Sequence, residues 1–307
     1  MGEPTELHEQ LVDAANGIYG SHPGARAFHA KGFYCAGAFE ATAEAARLCR
    51  AAHFRGDEIP ALIRFSLGGG DPAGHDSVRE PRGIAIKLDL PGGEQTDILC
   101  VTTPVFAART PEDFLELLRA RRPDPETGEL DLEKVGAFLE AHPESGPAVQ
   151  ATLGTPPPAS YAQLAYNSQH AFGLLDGEGK TTWARYRLEP RAGEASLDDE
   201  EAAARDGDYM RAELAERLRS GPVAFDLVLV LAEEGDPLED PTAAWPEERR
   251  RVTAGTLEVR EIVDDPERDG GVVVFDPVNV VDGIELPDDP ILHARSPAYT
   301  VSVNRRV

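Results

Sequence analysis

A single histidine opens the most chemically suggestive run of this sequence, Arg26-Ala-Phe-His29-Ala-Lys-Gly32-Phe-Tyr-Cys-Ala-Gly37-Ala-Phe39. An imidazole exchanges protons close to neutral pH, so His29 is a candidate general acid or base. Read as a strand, the run puts His29, Lys31, Phe33 and Cys35 on one face and Phe28, Ala30 and Gly32 on the other, with Arg26 in the turn that enters it. The glycines leave little bulk beside the imidazole, so something flat could approach the backbone closely. Taken alone, the run is better explained by a core histidine bonded to backbone, beside glycines that shape a bend. His8, His22, His53, His75, His142, His170 and His293 show no zinc-type spacing and receive no role. Cys35, Cys49 and Cys100 are an odd number without metal-site spacing, which predicts reduced core thiols and a reducing, cytoplasmic setting.

The elements that must position such groups are legible from periodicity. Residues 4–18 have apolar positions at helical spacing, and residues 41–53 are alanine-rich and helical in character. Segments Ile59–Leu67, Arg82–Leu90, Gln95–Thr102, Ser168–Leu175, Thr181–Leu188, Phe225–Ala232 and Thr256–Ile262 read as strands. With the His29 run they make about eight, closely spaced enough for antiparallel pairing and enough for a closed barrel that hides its edges. Thr110-Pro-Glu-Asp announces a helix to about Arg121, with a second around 131–142 and a third from the acidic run at 197–201 to about Arg219. Pro156-Pro-Pro158 marks an extended excursion, and Asp176-Gly-Glu-Gly179 a hairpin turn.

Composition bounds the function. A chain of 307 residues with 41% apolar content can bury one substantial core, and a single domain over 1–307 is expected: a helix at 4–18, a barrel with helices over 26–290 and a terminal segment over 291–307. The net charge of -25 repels nucleic acid and anionic membrane surfaces. No secretory signal is visible in Met-Gly-Glu-Pro-Thr-Glu-Leu, and no apolar run approaches a membrane span.

Further motifs become specific when taken together: Ile63-Arg64-Phe65-Ser66, Asp76-Ser-Val-Arg79-Glu80-Pro-Arg82-Gly83, Thr103-Pro-Val-Phe106, Phe275-Asp-Pro and Arg295-Ser-Pro-Ala-Tyr299. In order and approximate spacing, over nearly the whole chain, they resemble the haem catalase family, closest to its short catalase-related peroxidases. The resemblance implies an α+β fold, a catalase-like antiparallel eight-stranded β-barrel with flanking α-helices. It also implies haem b, with Tyr299 as the iron's axial phenolate ligand and Arg295 beside it to favour the anion. Pro297 predicts that the terminal helix begins between those two residues, with Ser296 as its cap.

By the same resemblance His29 is the distal base leading to a ferryl intermediate, and Ser66 fixes its tautomer. Arg26, Arg64 and Arg306 meet the haem propionates, where a guanidinium suits a carboxylate. Phe106 and Phe114 line the macrocycle, and Glu80 falls where the family has an acidic residue at the channel. Val101 stands where full catalases place an asparagine beside the histidine. The loss of that donor points to a peroxidase reducing hydrogen peroxide or organic hydroperoxides with a small organic reductant. A low-efficiency catalase, a hydroperoxide-rearranging enzyme and a haem-sensing module are the competing expectations, and a monomer or homodimer is expected.

Overall fold

Eight antiparallel strands close on themselves in the computed structural model, which describes residues 6–306. They are β1 (Gly32–Ala41), β2 (Ile59–Leu67), β3 (Arg82–Asp89), β4 (Gln95–Val101), β5 (Tyr166–Leu175), β6 (Thr181–Pro190), β7 (Val223–Leu231) and β8 (Arg251–Val263). Their spatial order is β4-β3-β2-β1-β8-β7-β6-β5, and Val101 pairs Asn167 to join β4 to β5 and complete the ring. A two-residue β9 (Ile284–Glu285) adds to β5. Closure removes the open edges that would otherwise invite pairing with another chain. The inward residues, among them Phe39, Ile63, Phe65, Tyr166, Phe225 and Leu257, fill the barrel as one apolar core. Cys35, Cys49 and Cys100 are free and buried, with burial pushing the Cys35 thiol up to about 12.

Among the described residues, eight α-helices flank the barrel: α1 (Leu7–Tyr19), α2 (Ala45–Leu48), α3 (Pro111–Ala120), α4 (Leu132–Ala141), α5 (Gly146–Gly154), α6 (Asp199–Ala203), α7 (Tyr209–Leu218) and α8 (Pro290–Asn304). Helix α3 starts as its sequence predicts: Thr110 and Asp113 bond each other's backbone N–H groups in a reciprocal cap, with Pro111 as first residue. Helices α1, α3 and α8 pack together over one flank, where Leu11 meets Leu115 and Leu118.

Several expectations are corrected. The first two residues of the helix expected over 4–18 lie outside the described residues. The alanine-rich stretch at 41–53 makes only the one-turn α2 and a further turn at Ala52–Phe54. The helix expected from 197 to 219 is two helices, because Asp206-Gly207 breaks it. Helix α5 was not foreseen. The first strand begins at Gly32, so His29 lies ahead of it, not on the Phe33–Cys35 face. Finally, α8 starts at Pro290, capped by Asp289, and runs straight through Pro297. Asp289-Pro290 is the stronger start signal, an acceptor side chain followed by a residue that lacks only an N–H the first turn leaves unpaired.

Candidate active site

Between the outer face of β2–β4 and helices α1, α3 and α8 lies a cavity of about 270 Å³. Strand alternation decides what faces it. Ile63 and Phe65 point into the barrel core, so Arg64 and Ser66 point out, and Gly83, Ala85, Leu99 and Val101 do so on the neighbouring strands. The cavity also takes Arg26, Phe28 and His29 from the chain before β1, Phe106 and Phe114 from around α3, and Arg295, Tyr299 and Arg306 from α8 and its end. The structure thus brings together every residue that the sequence assigned to the site except Glu80. Glu80 is not among the lining residues; its Oε2 accepts from the Gly69 N–H at 2.8 Å.

His29 is half-buried and carries a left-handed backbone, with φ of 52°. For a residue with a Cβ this conformation costs roughly 1–2 kcal/mol, and the surroundings enforce it. The His29 N–H donates to the Gly68 carbonyl at 3.1 Å, and the Ala30 N–H to that of Gly69 at 3.0 Å. The ring is fixed by a 2.9 Å hydrogen bond between Nδ1 and Ser66 Oγ. Ser66 has glycine as cross-strand neighbour on both sides, Gly32 and Gly83. A Cβ on Gly83 would stand 2.8 Å from Ser66 Oγ and 2.9 Å from His29 Nδ1, and one on Gly32 would stand 2.6 Å from the Arg64 guanidinium. Gly83 therefore makes room for the His29–Ser66 pair, and Gly32 for the Arg64 guanidinium. Burial, reinforced by Arg64, Arg295 and Arg26, lowers the His29 pKa to about 3, so the imidazole is neutral at ordinary pH.

On the α8 side, Tyr299 Oη accepts from Arg295 Nε at 2.8 Å. Continuity of the helix through Pro297 makes this an i,i+4 pair on one face. Behind it stands a pair that motif reading missed. His170 and Asp289 are buried, with Nδ1 to Oδ2 at 2.6 Å, while Asp289 Oδ1 accepts the Ile291 and Leu292 N–H groups at 2.9 and 3.1 Å. One carboxylate thus caps α8 and ties it to β5. Burial lowers the pKa of His170 despite the opposing pull of Asp289. A break in the β5–β6 register between Asn167 and Ala171 accompanies the left-handed Gln169, φ 62°. Gln169 lines the cavity, and its Nε2 donates to Thr103 Oγ1 and the Val105 carbonyl, both at 2.8 Å, steadying the loop that carries Phe106. Its only sequence signal was a glutamine inside an apolar strand.

The third part of the cavity is cationic. Arg26 and Arg306 share one carboxylate, Glu267, which lies 2.7 Å from Arg26 and 3.0 Å from Arg306, while the Arg64 guanidinium donates to the His29 carbonyl at 2.9 Å. The buried Nε atoms of Arg64 and Arg306 have no hydrogen-bond partner. Burial and the neighbouring Arg26 lower the Arg64 pKa to about 10. Unsatisfied buried guanidinium N–H groups are costly, and a ligand with two carboxylates would relieve both. A planar porphyrin with two propionates fits this donor set, the aromatic and aliphatic walls and the phenol–guanidinium pair.

The Catalase family matches residues 18–307. The chain is 39% identical over 306 residues to a catalase-related peroxidase of Mycolicibacterium paratuberculosis, covering 97% of this chain and 94% of that protein. It is 37% identical over 298 residues to a catalase-related peroxidase of Synechococcus elongatus, covering 97% and 88%. Catalase A from Saccharomyces cerevisiae superposes with a TM-score of 0.82 at 26% identity, over 94% of this chain and 62% of that one.

Proposed function

Because this chain belongs to the catalase family, we propose that its cavity holds haem b and that hydrogen peroxide or organic hydroperoxides are reduced there by a small organic donor. It is a peroxide-acting oxidoreductase, as its catalase-related peroxidase relatives are. Tyr299, whose Oη accepts from Arg295, would hold the iron; Arg64 and Arg306, with Arg26, would hold the propionates; Phe106 and Phe114 would pack on the ring. When bound, the haem supplies the redox chemistry of O–O cleavage, which the side chains alone lack.

His29 moves the proton. In the tautomer that carries its proton on Nδ1 and donates it to Ser66 Oγ, Nε2 is a free acceptor for the hydroperoxide proton. The imidazolium then returns that proton to the departing oxygen, which leaves as water or an alcohol. The low pKa of His29 makes the transfer back downhill and keeps the base unprotonated between turnovers. The donor supplies two electrons and two protons for each peroxide.

The observation that carries the peroxidase reading over disproportionation is Val101. It lines the cavity with a hydrocarbon, and the nearby amide nitrogen of Gln169 is committed to Thr103 and Val105. A second hydrogen peroxide therefore finds little to orient it. Buried reduced thiols support a cytoplasmic setting. The test uses haem-loaded protein in an oxygen electrode. Peroxide consumption that depends on an added phenolic donor, with little oxygen release, is expected; sustained oxygen release without donor would instead establish a catalase. Donor-independent conversion of a fatty-acid hydroperoxide would establish a rearranging enzyme, and haem binding without turnover a sensor.

A further inference from the structure

Glu267 belongs to no motif, yet it is the carboxylate on which the cationic end of the cavity converges. It sits in the segment 264–276 that leaves β8. Its Oε2 lies 2.7 Å from Arg26 Nη1 and accepts from Tyr34 Oη at 2.6 Å; its Oε1 lies 3.0 Å from Arg306 Nη1 and accepts the Val273 N–H at 3.0 Å. Arg26 Nη2 donates to Tyr34 Oη at 3.0 Å and to the Val273 carbonyl at 2.9 Å. The Glu267 side chain is only 13% exposed. Hydrogen bonding from Tyr34 and the charges of Arg26 and Arg306 outweigh its burial and lower its pKa, so it is ionised.

Two consequences follow from these contacts. The first is a charge balance. Among the described residues Glu267 is the only carboxylate paired with Arg26 or Arg306, and Arg64 has none. Three guanidinium groups and one carboxylate leave an excess of two positive charges, which matches a ligand with two carboxylates. The two unpartnered buried N–H groups, on Arg64 and Arg306, match it in number as well. Arg26, by contrast, has both terminal nitrogens occupied by Glu267, Tyr34 and Val273.

The second consequence is mechanical. Val274 and Phe275, which follow directly on Val273, line the cavity, and Phe275 stacks on Tyr34 with ring centroids 6.3 Å apart. Two of the bonds that hold this wall in place, the Val273 N–H to Glu267 and the Val273 carbonyl to Arg26, run through the Glu267–Arg26 pair.

We propose that Glu267 is a cofactor-retention residue, which stays in place beside the bound dianionic porphyrin, holds Arg26 and Arg306 apart, and latches segment 264–276 across the cavity's end. The inference rests on the haem reading above, and its test separates the two. Haem-loaded wild type, Glu267→Gln and Tyr34→Phe are mixed with excess apomyoglobin, and transfer of haem is followed by absorption. In parallel, each protein, with and without haem, is treated with dilute trypsin and cleavage after the exposed Arg268 of the segment is timed.

Transfer at least about 10-fold faster for Glu267→Gln is expected, together with faster cleavage at Arg268 in both states; Tyr34→Phe gives smaller changes in the same directions. Transfer at or below the wild-type rate for Glu267→Gln would show that the carboxylate only fills the place of a propionate, and overturns the proposal. Unchanged cleavage at Arg268 overturns the latch. If Glu267→Gln does not fold, Glu267→Asp, which keeps the charge but cannot span both arginines, must show the same acceleration. Failure of the wild type to take up haem would defeat the parent reading instead, and the cleavage comparison would still judge the latch.

Discussion

The two sides of the cavity are built in opposite ways. The α8 side is one continuous helix: the cap at Asp289 fixes its start, and helical spacing then carries Arg295 and Tyr299 to the same face. The His29 side is assembled from pieces far apart in sequence, a left-handed residue before β1, a serine on β2 and a glycine on β3. On the proposed reading Tyr299 is a phenolate ligand, which needs a fixed distance and a neighbouring cation that regular structure supplies cheaply, and His29 is a proton carrier, which needs a fixed tautomer and accepts a left-handed backbone to obtain it.

That contrast can be broken experimentally, and the largest effect belongs to the proton carrier. His29→Ala should slow peroxide cleavage by about 10²–10⁴-fold, read in rapid mixing with hydroperoxide, while haem stays bound. Next comes the room around it. Gly83→Ala puts a methyl within 2.9 Å of both His29 and Ser66, so it should cost about as much as deleting the hydroxyl, about 10–100-fold for Ser66→Ala. Equal wild-type rates in Gly83→Ala would mean that the pair is not needed in its observed geometry.

On the helix side the expected losses are in stability and spectrum. Asp289→Asn leaves the buried His170 facing a weakened acceptor and loosens the α8 cap, for about 1–3 kcal/mol by thermal or denaturant unfolding. Peroxide cleavage should change less than in His29→Ala. The smallest effect is in pH. The folded pKa of His29 is depressed to about 3, below its ordinary value, so the neutral form persists on acidification and the cleavage rate should be flat between about pH 5 and 8. The sign for stability is the reverse of a gained ion pair: the unfolded histidine takes up a proton first, so this group makes folding less favourable as pH falls below its unfolded value. A cleavage rate that rises through a pKa near 6.5 would contradict the assignment.

Much of this was legible in the sequence. All eight barrel strands and the α3 cap came from alternation and turn chemistry, the first strand starting at Gly32 rather than at His29, and the assigned lining residues came from the family resemblance that motif order carries. The barrel's closing pair, Val101 with Asn167, and the register break beside Gln169 did not, since both depend on strands meeting across the ring. His170 was passed over because it lacks metal-type spacing, and its partner Asp289 lies 119 residues away. Pro297 misled in a different way: a proline usually ends or begins a helix, but one anchored at Asp289 and packed on α1 and α3 tolerates the lost hydrogen bond. Glu267 had no signal at all, because a carboxylate that serves arginines from another loop looks like any surface acid in an acidic chain.

The central claim is that one cavity holds haem between Tyr299 and His29. Titrating wild type, Tyr299→Phe and His29→Ala with haem, followed by absorption, tests it most directly. The account predicts stoichiometric uptake by wild type with a high-spin ferric spectrum and a phenolate charge-transfer band, kept in His29→Ala and lost in Tyr299→Phe. A band that survives Tyr299→Phe, or no stoichiometric uptake by the wild type, would contradict it.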